Sequence, residues 1–243
     1  MVNFWKLVNS VIEESDVVLE VVDARAVNES RNAEIESKLA RKGKKLIIVM
    51  NKSDLIDGDI NRYKDIMPKN SVFVSARERL GTSVLKRKIL EAVRGESARV
   101  GVLGYPNTGK SSVINALAGR SKASTSSQSG FTKGLQYVRA GKLKLIDTPG
   151  VIPFREGDDF KQALIGAKDF NKIKEPDVVA MRFLEVKKDE ILSFYGVEDD
   201  GRDAEDLLEA IAVKKNLLIK GGKPDLVNAA RRIIKDWQRG FRP

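Results

Sequence analysis

The 243-residue sequence contains no cysteine and no histidine. Disulfide staples, thiolate nucleophiles, the usual structural zinc sets and every imidazole acid or base are thereby excluded. Any side-chain general base is a carboxylate, a lysine or a tyrosine. Long apolar runs are also missing: the amphipathic stretch 2–12 leads into Glu13, Glu14 and Asp16, without the hydrophobic segment of a signal peptide or a membrane span. A soluble cytoplasmic protein without a membrane partner is the expectation.

Charge is plentiful, at 32% of residues with a formal net charge of +10, and 42% of residues are apolar, enough for an ordinary core. Residues 1–150 carry 26 basic and 16 acidic side chains; 151–206 carry 9 and 15; 207–243 carry 9 and 3. The basic C-terminal end suits a nucleic-acid backbone, and it equally suits solvated helix faces. Its candidate contacts are Lys214, Lys215, Lys220, Lys223, Arg231, Arg232 and Lys235.

Short apolar runs at 17–24, 45–50, 71–75, 99–104 and 143–147 suit strands buried on both faces, with 134–140 as a further edge strand. Helical segments at 31–41, 60–67, 83–93 and 110–117 alternate with them, the pattern of an α/β fold with a parallel-rich sheet. The polar stretch 121–130 reads as a mobile loop. Beyond Gly150 the strand signal stops and helices are expected around 159–171, 177–194, 204–216 and 225–238. The boundary falls near 152–158, giving an α/β domain over 1–155 and a small all-helical domain over 156–243. The stripe Leu226, Ala230, Ile233 or Ile234 and Trp237 of the last helix reads as domain core.

Gly104-Tyr105-Pro106-Asn107-Thr108-Gly109-Lys110-Ser111 is a complete phosphate-loop pattern between an expected strand and an expected helix. Its glycines let backbone N–H groups converge on phosphate oxygens. Gly104, Asn107, Thr108, Gly109, Lys110, Ser111 and Ser112 are therefore the candidate phosphate-binding residues. Lys110 reaches the outer phosphates and Ser111 supplies an oxygen to magnesium. Asp147-Thr148-Pro149-Gly150 fits a loop whose aspartate orients magnesium and whose glycine N–H senses the terminal phosphate. Thr132 is a candidate second magnesium oxygen or a turn hydroxyl. Asn51-Lys52-Ser53-Asp54 follows a strand: the Asp54 carboxylate can accept from both the ring N–H and the exocyclic amine of guanine, a donor pair adenine lacks. Asn51 would tie the loop together and contact the base edge, the Lys52 stem would cover the base, and Ser75-Ala76-Arg77 would offer a backbone N–H to the guanine carbonyl.

The order of these motifs is unusual, because base recognition precedes phosphate binding. The same sheet can form if the old chain ends are joined and a new break opens in a surface connection. The ordered set DARAVNESRN (23–32), NKSD, SAR, GYPNTGKS, GFT and DTPG resembles the circularly permuted GTPases of large-ribosomal-subunit assembly, the bacterial assembly factor and nucleostemin-like proteins among them. Residues 206–240 resemble that group's C-terminal helical segment. The resemblance implies a circularly permuted Ras-like P-loop domain that binds and hydrolyses GTP, with Mg2+, at a precursor particle whose rRNA the helical appendix contacts, and no DNA partner. It implies a potassium ion held by Asn107, and a catalytic set of Lys110, Thr132, Gly150 and Asn107. Val151 and Ile152 stand where many GTPases have a catalytic glutamine, as is common in this family. The chain departs from its bacterial relatives in lacking their N-terminal histidine, which implies slow turnover. A GTP-gated protein-binding adaptor is the alternative; phosphate transfer to a metabolite is opposed by the guanine motif.

Overall fold

A computed structural model of the chain describes residues 4–56, 63, 67–95, 97–119, 135–148 and 158–241. Two compact units are present, Met1–Phe154 and Arg155–Pro243.

In the first unit, α1 (Phe4–Glu14), β1 (Val17–Asp23), α2 (Val27–Ser30), α3 (Ala33–Arg41), β2 (Lys45–Asn51), β3 (Ser71–Phe73), α4 (Thr82–Ala92), β4 (Ala98–Leu103), α5 (Lys110–Ala118), β5 (Gln136–Ala140) and β6 (Leu143–Asp147) follow in chain order. The strand order is β3-β2-β1-β4-β6-β5, parallel except for the antiparallel β5–β6 pair. The apolar runs form strands because every residue of β1 is buried, so both faces of the sheet need covering. α4 and α5 pack on one face through Leu85, Ile89, Val113, Ile114 and Leu117. α1 and α3 pack on the other through Val8, Val11, Ile12, Ile35 and Leu39. The stretch 2–12 is thus largely helix, docked where Gly101 of β4 leaves room: a Cβ there would stand 2.8 Å from Val11 Cγ1. The expected helix at 60–67 lies largely outside the described residues, as do the 121–130 loop, Thr132, Gly150 and the 152–157 part of the boundary.

Glu20 interrupts the apolar pattern in the middle of β1. Glu20 is fully buried; its Oε1 accepts the Asn32 N–H at 2.7 Å, and Oε2 has no hydrogen-bond partner among the described residues. Burial pushes the carboxyl up to about 8, with the Asn32 N–H opposing and the Glu36 charge reinforcing. The folded state therefore keeps a proton that the unfolded state has released above about pH 4.3. The group's contribution to stability is greatest below that pH and is lost as pH rises toward 8. Glu20→Gln keeps the shape without the titration. It is expected to be more stable than the parent at pH 8 by on the order of 1–3 kcal/mol, with a flatter profile in urea unfolding followed from pH 5 to 8. Parallel profiles would mean that Glu20 does not titrate in this range.

The second unit contains α6 (Asp159–Leu164), α7 (Pro176–Val186), α8 (Lys188–Tyr195), α9 (Ala204–Lys214) and α10 (Leu226–Arg239). The expected helix over 159–171 ends early, because Gly166 takes a left-handed φ of 69° just past Leu164. The expected helix over 177–194 divides at Lys187, which caps α7 and starts α8. Phe160, Phe183 and Trp237 meet edge-on or tilted in the core, and the Trp237 indole donates to the Leu164 carbonyl at 2.8 Å. Ala230, Ile233, Ile234 and Trp237 are buried, so the α10 stripe is core.

Candidate functional site

The loops leaving β2, β3, β4 and β6 carry the candidate residues, at the C-terminal ends of parallel strands. That is where open α/β sheets bind ligands. The phosphate loop runs from Gly104 to Lys110, the first residue of α5. Gly104 (φ 140°) and Gly109 (φ 93°) have conformations side chains resist, and both are crowded: a Cβ would meet the Val21 carbonyl oxygen at 2.4 Å and Asn51 Nδ2 at 2.2 Å. Asn107, at φ 60°, is left-handed as well. Thr108 is buried and its hydroxyl donates to the Tyr105 carbonyl at 3.0 Å. Lys110 Nζ donates to the same carbonyl at 2.8 Å; burial pulls its pKa down to about 8, with the Asp147 charge opposing.

Ser111 and Asp147 come together, the hydroxyl donating to Oδ2 at 2.7 Å. Asp147 Oδ1 is buried with no hydrogen-bond partner among the described residues, and burial raises the carboxyl's pKa despite the Ser111 hydroxyl and the Lys110 charge. An orphaned carboxylate oxygen beside a serine hydroxyl, next to a phosphate loop, is a hard oxygen donor set that fits Mg2+ shared with phosphates. Ser112 follows in α5, half-buried. Thr148, which sequence reasoning gave no task, fixes this loop: its hydroxyl donates to the Val102 carbonyl at 2.7 Å.

Asn51 does tie loops together. Its Nδ2 donates to the Thr108 carbonyl at 2.9 Å and its Oδ1 accepts the Ala76 N–H at 3.1 Å, joining three segments distant in sequence. Of the backbone N–H groups of 75–77, among them the one expected at the guanine carbonyl, that of Ala76 is thus engaged by Asn51. Ser75 donates its hydroxyl to Asp54 Oδ1 and accepts from the Glu78 N–H, which orients the Asp54 carboxylate. Lys52 is left-handed (φ 63°), and its ammonium donates to Asp23 Oδ2 at 2.8 Å. Asp23, also unforeseen, is fully buried and accepts from Arg25 Nε at 3.0 Å and Nη2 at 2.8 Å. Burial opposes its ionisation, but the Lys52 and Arg25 charges prevail and hold the carboxyl well below the usual range.

The seven basic candidates of the second unit fall into two groups. Lys214, Lys215, Lys220 and Lys223 are exposed at the end of α9 and in a hairpin closed by the Leu218–Pro224 bridge, turning on Gly221 and Gly222 with φ of 95° and 79°. The other three lie on α10, with Arg231 and Lys235 half-buried and Arg232 exposed but paired. Arg232 Nε donates to Asp236 Oδ2 at 2.7 Å, which also accepts the Tyr195 hydroxyl at 2.9 Å. Arg231 has its Nε buried, and the Lys235 ammonium lies 5.8 Å from the Phe170 ring centre. The seven candidates thus differ in how far their side chains are engaged within the unit, the four lysines standing apart from the three residues of α10.

Residues 99–218 match the family model described as 50S ribosome-binding GTPase. Over 97% of its length the chain is 44% identical to an uncharacterized GTP-binding protein of Methanocaldococcus jannaschii, of which it spans 65%. It is 31% identical to the guanine nucleotide-binding protein-like 3 homolog of Drosophila melanogaster and to nuclear/nucleolar GTPase 2 of Arabidopsis thaliana, over 98% of this chain but only 47% and 44% of those proteins. GNP-bound YlqF from T. maritima superposes with a TM-score of 0.67 at 25% identity, over 98% of this chain and 94% of that one. Among the described residues no helix is long and apolar enough to cross a membrane.

Proposed function

Because this chain belongs to the circularly permuted GTPases, we propose that it binds and hydrolyses GTP as a switch in large-ribosomal-subunit assembly, its nucleotide state governing attachment to rRNA in a precursor particle. The observation that carries the reading is the convergence of Asn51, Asp54, Ser75, Lys110, Ser111 and Asp147 on one end of the sheet despite the inverted motif order. Asp54 selects guanine through its two donors. Lys110 and the loop amides hold the phosphates, and Ser111 and Asp147 hold Mg2+, which supplies charge neutralisation at the transferring phosphate. Thr132 and Gly150 join when the third phosphate is present. The potassium expectation at Asn107 comes from the family resemblance and carries no step of this mechanism. With no histidine, hydrolysis depends on positioning and charge, and intrinsic turnover is slow.

The four exposed lysines are the proposed rRNA contact. Replacing Lys214, Lys215, Lys220 and Lys223 together by Glu is expected to abolish co-sedimentation with precursor particles while leaving GTP binding intact. Arg232 is left alone because its loss would strand Asp236. Binding by the parent should fall steeply with salt, by about 0.7–0.9 in log–log slope for each phosphate contact. Leu218 and Ile219 are exposed in the same hairpin, which favours the adaptor reading. Salt-tolerant binding to a protein, unchanged by the lysine replacements, would replace the RNA reading with that one.

A further inference from the structure

The ion cluster at the end of β1 has no part in the scheme above, and its geometry is specific. Asp23 and Asn51 are paired across the parallel β1–β2 ladder, so the residue after Asn51, Lys52, turns back within reach of the Asp23 carboxylate. Arg25 grips that carboxylate through three donors: its backbone N–H at 3.1 Å, Nε at 3.0 Å and Nη2 at 2.8 Å. The strand end is fixed from behind as well, since the Asp23 N–H donates to Ser30 Oγ at 3.0 Å and the Ala24 N–H to the Asn51 carbonyl at 2.8 Å. The side chains of Asp23 and Arg25 are 0% and 4% exposed, and that of Lys52 is 21% exposed. The Lys52 ammonium is thus drawn inward onto a carboxylate that is itself sealed from solvent. Buried ion pairs return little of their desolvation cost as stability, so stability alone is a weak reason for this cluster.

We propose that Asp23 is a positioning residue of the base site: gripped by Arg25, it anchors the Lys52 ammonium so that the lysine stem is held as the apolar wall against which guanine lies. This rests on the guanine reading of residues 51–54. The anchor acts on the base and not on the phosphates. Preorganising the stem also removes the ordering cost of a long, flexible side chain at the moment of binding.

The test is calorimetric binding of GDP, ADP and magnesium tripolyphosphate to the full chain and to Asp23→Asn, Lys52→Met and the double variant, each first shown to be folded by its unfolding transition. Lys52→Met keeps a stem but has no ammonium to anchor. Both single variants are expected to lose on the order of 10- to 100-fold in GDP affinity, with tripolyphosphate binding unchanged and no further loss in the double variant. Unchanged GDP affinity, additive losses, or an equal loss of tripolyphosphate binding would overturn the anchor. Should Asp23→Asn not fold, Lys52→Met decides by the same two ligands. If the parent binds ADP as tightly as GDP, the guanine reading itself fails; if it prefers GDP and Asp23→Asn matches it, only the anchor fails.

Discussion

Lys110→Ala is expected to lower GTP and GDP affinity by roughly 10²- to 10³-fold, the cost of leaving a buried charge partner unpaired. The nucleotide-free protein should lose little stability. Its Lys110 ammonium is buried, donates to one backbone carbonyl, and has a pKa pulled down to about 8 by that burial, so its removal relieves an unfavourable burial while it forfeits a hydrogen bond. Affinity and stability thus move separately, which a general disruption of the loop would not produce. The same shift predicts a pH effect in the parent. Above about pH 8 the ammonium has partly lost its proton, and phosphate binding must restore it, so nucleotide affinity should decline with proton uptake as pH rises from 8 toward 10. Titration calorimetry in buffers of different ionisation enthalpy measures that uptake. Its absence in the parent, or its persistence in Lys110→Ala, would assign the proton elsewhere.

Asp54→Asn should change which base is accepted. The parent carboxylate presents acceptors to guanine, and a site built for such partners discriminates by up to about 10⁴-fold against a base that cannot supply them. The Asn amide oxygen can keep the Ser75 hydrogen bond, leaving an NH2 toward the base. That group repels the guanine amine and suits a carbonyl at the same ring position. The variant is therefore expected to lose most of its preference for GDP over ADP and to gain affinity for xanthosine diphosphate. Competition of the three diphosphates against a fluorescent guanine nucleotide reads this directly, and an unchanged order of affinity would remove Asp54 from the base site.

Much of this architecture was legible in the sequence because its signals are local. Strands such as 17–23 and 45–51 are largely apolar because both faces of the sheet are covered, and the phosphate loop advertises itself through glycines that backbone crowding requires at 104 and 109. Asn51, Asp54, Ser111 and Asp147 stand in short strings directly after strands, where topology brings such residues together. What was not legible depends on register and burial. The Asp23–Lys52 pair spans 29 residues and exists because β1 and β2 align Asp23 with Asn51. Glu20 is sealed by the packing of α1 and α3 on its face, which no local pattern in the sequence records. Arg232 is a candidate nucleic-acid contact in the sequence; its pairing with Asp236, which also accepts from Tyr195, depends on how the helices pack. The break of the 177–194 helix at Lys187 has no proline or glycine to announce it.

The most direct test of the switch is to sediment the parent protein with large-subunit precursor particles under three conditions: a non-hydrolysable GTP analogue, GDP and no nucleotide. A coupling of ordinary allosteric size changes affinity by about 5- to 150-fold, so particle binding with the GTP analogue is predicted to exceed that with GDP by at least this lower margin and to match it at no particle concentration below saturation. Equal binding in all three states, or no binding in any of them at moderate salt, would contradict the account.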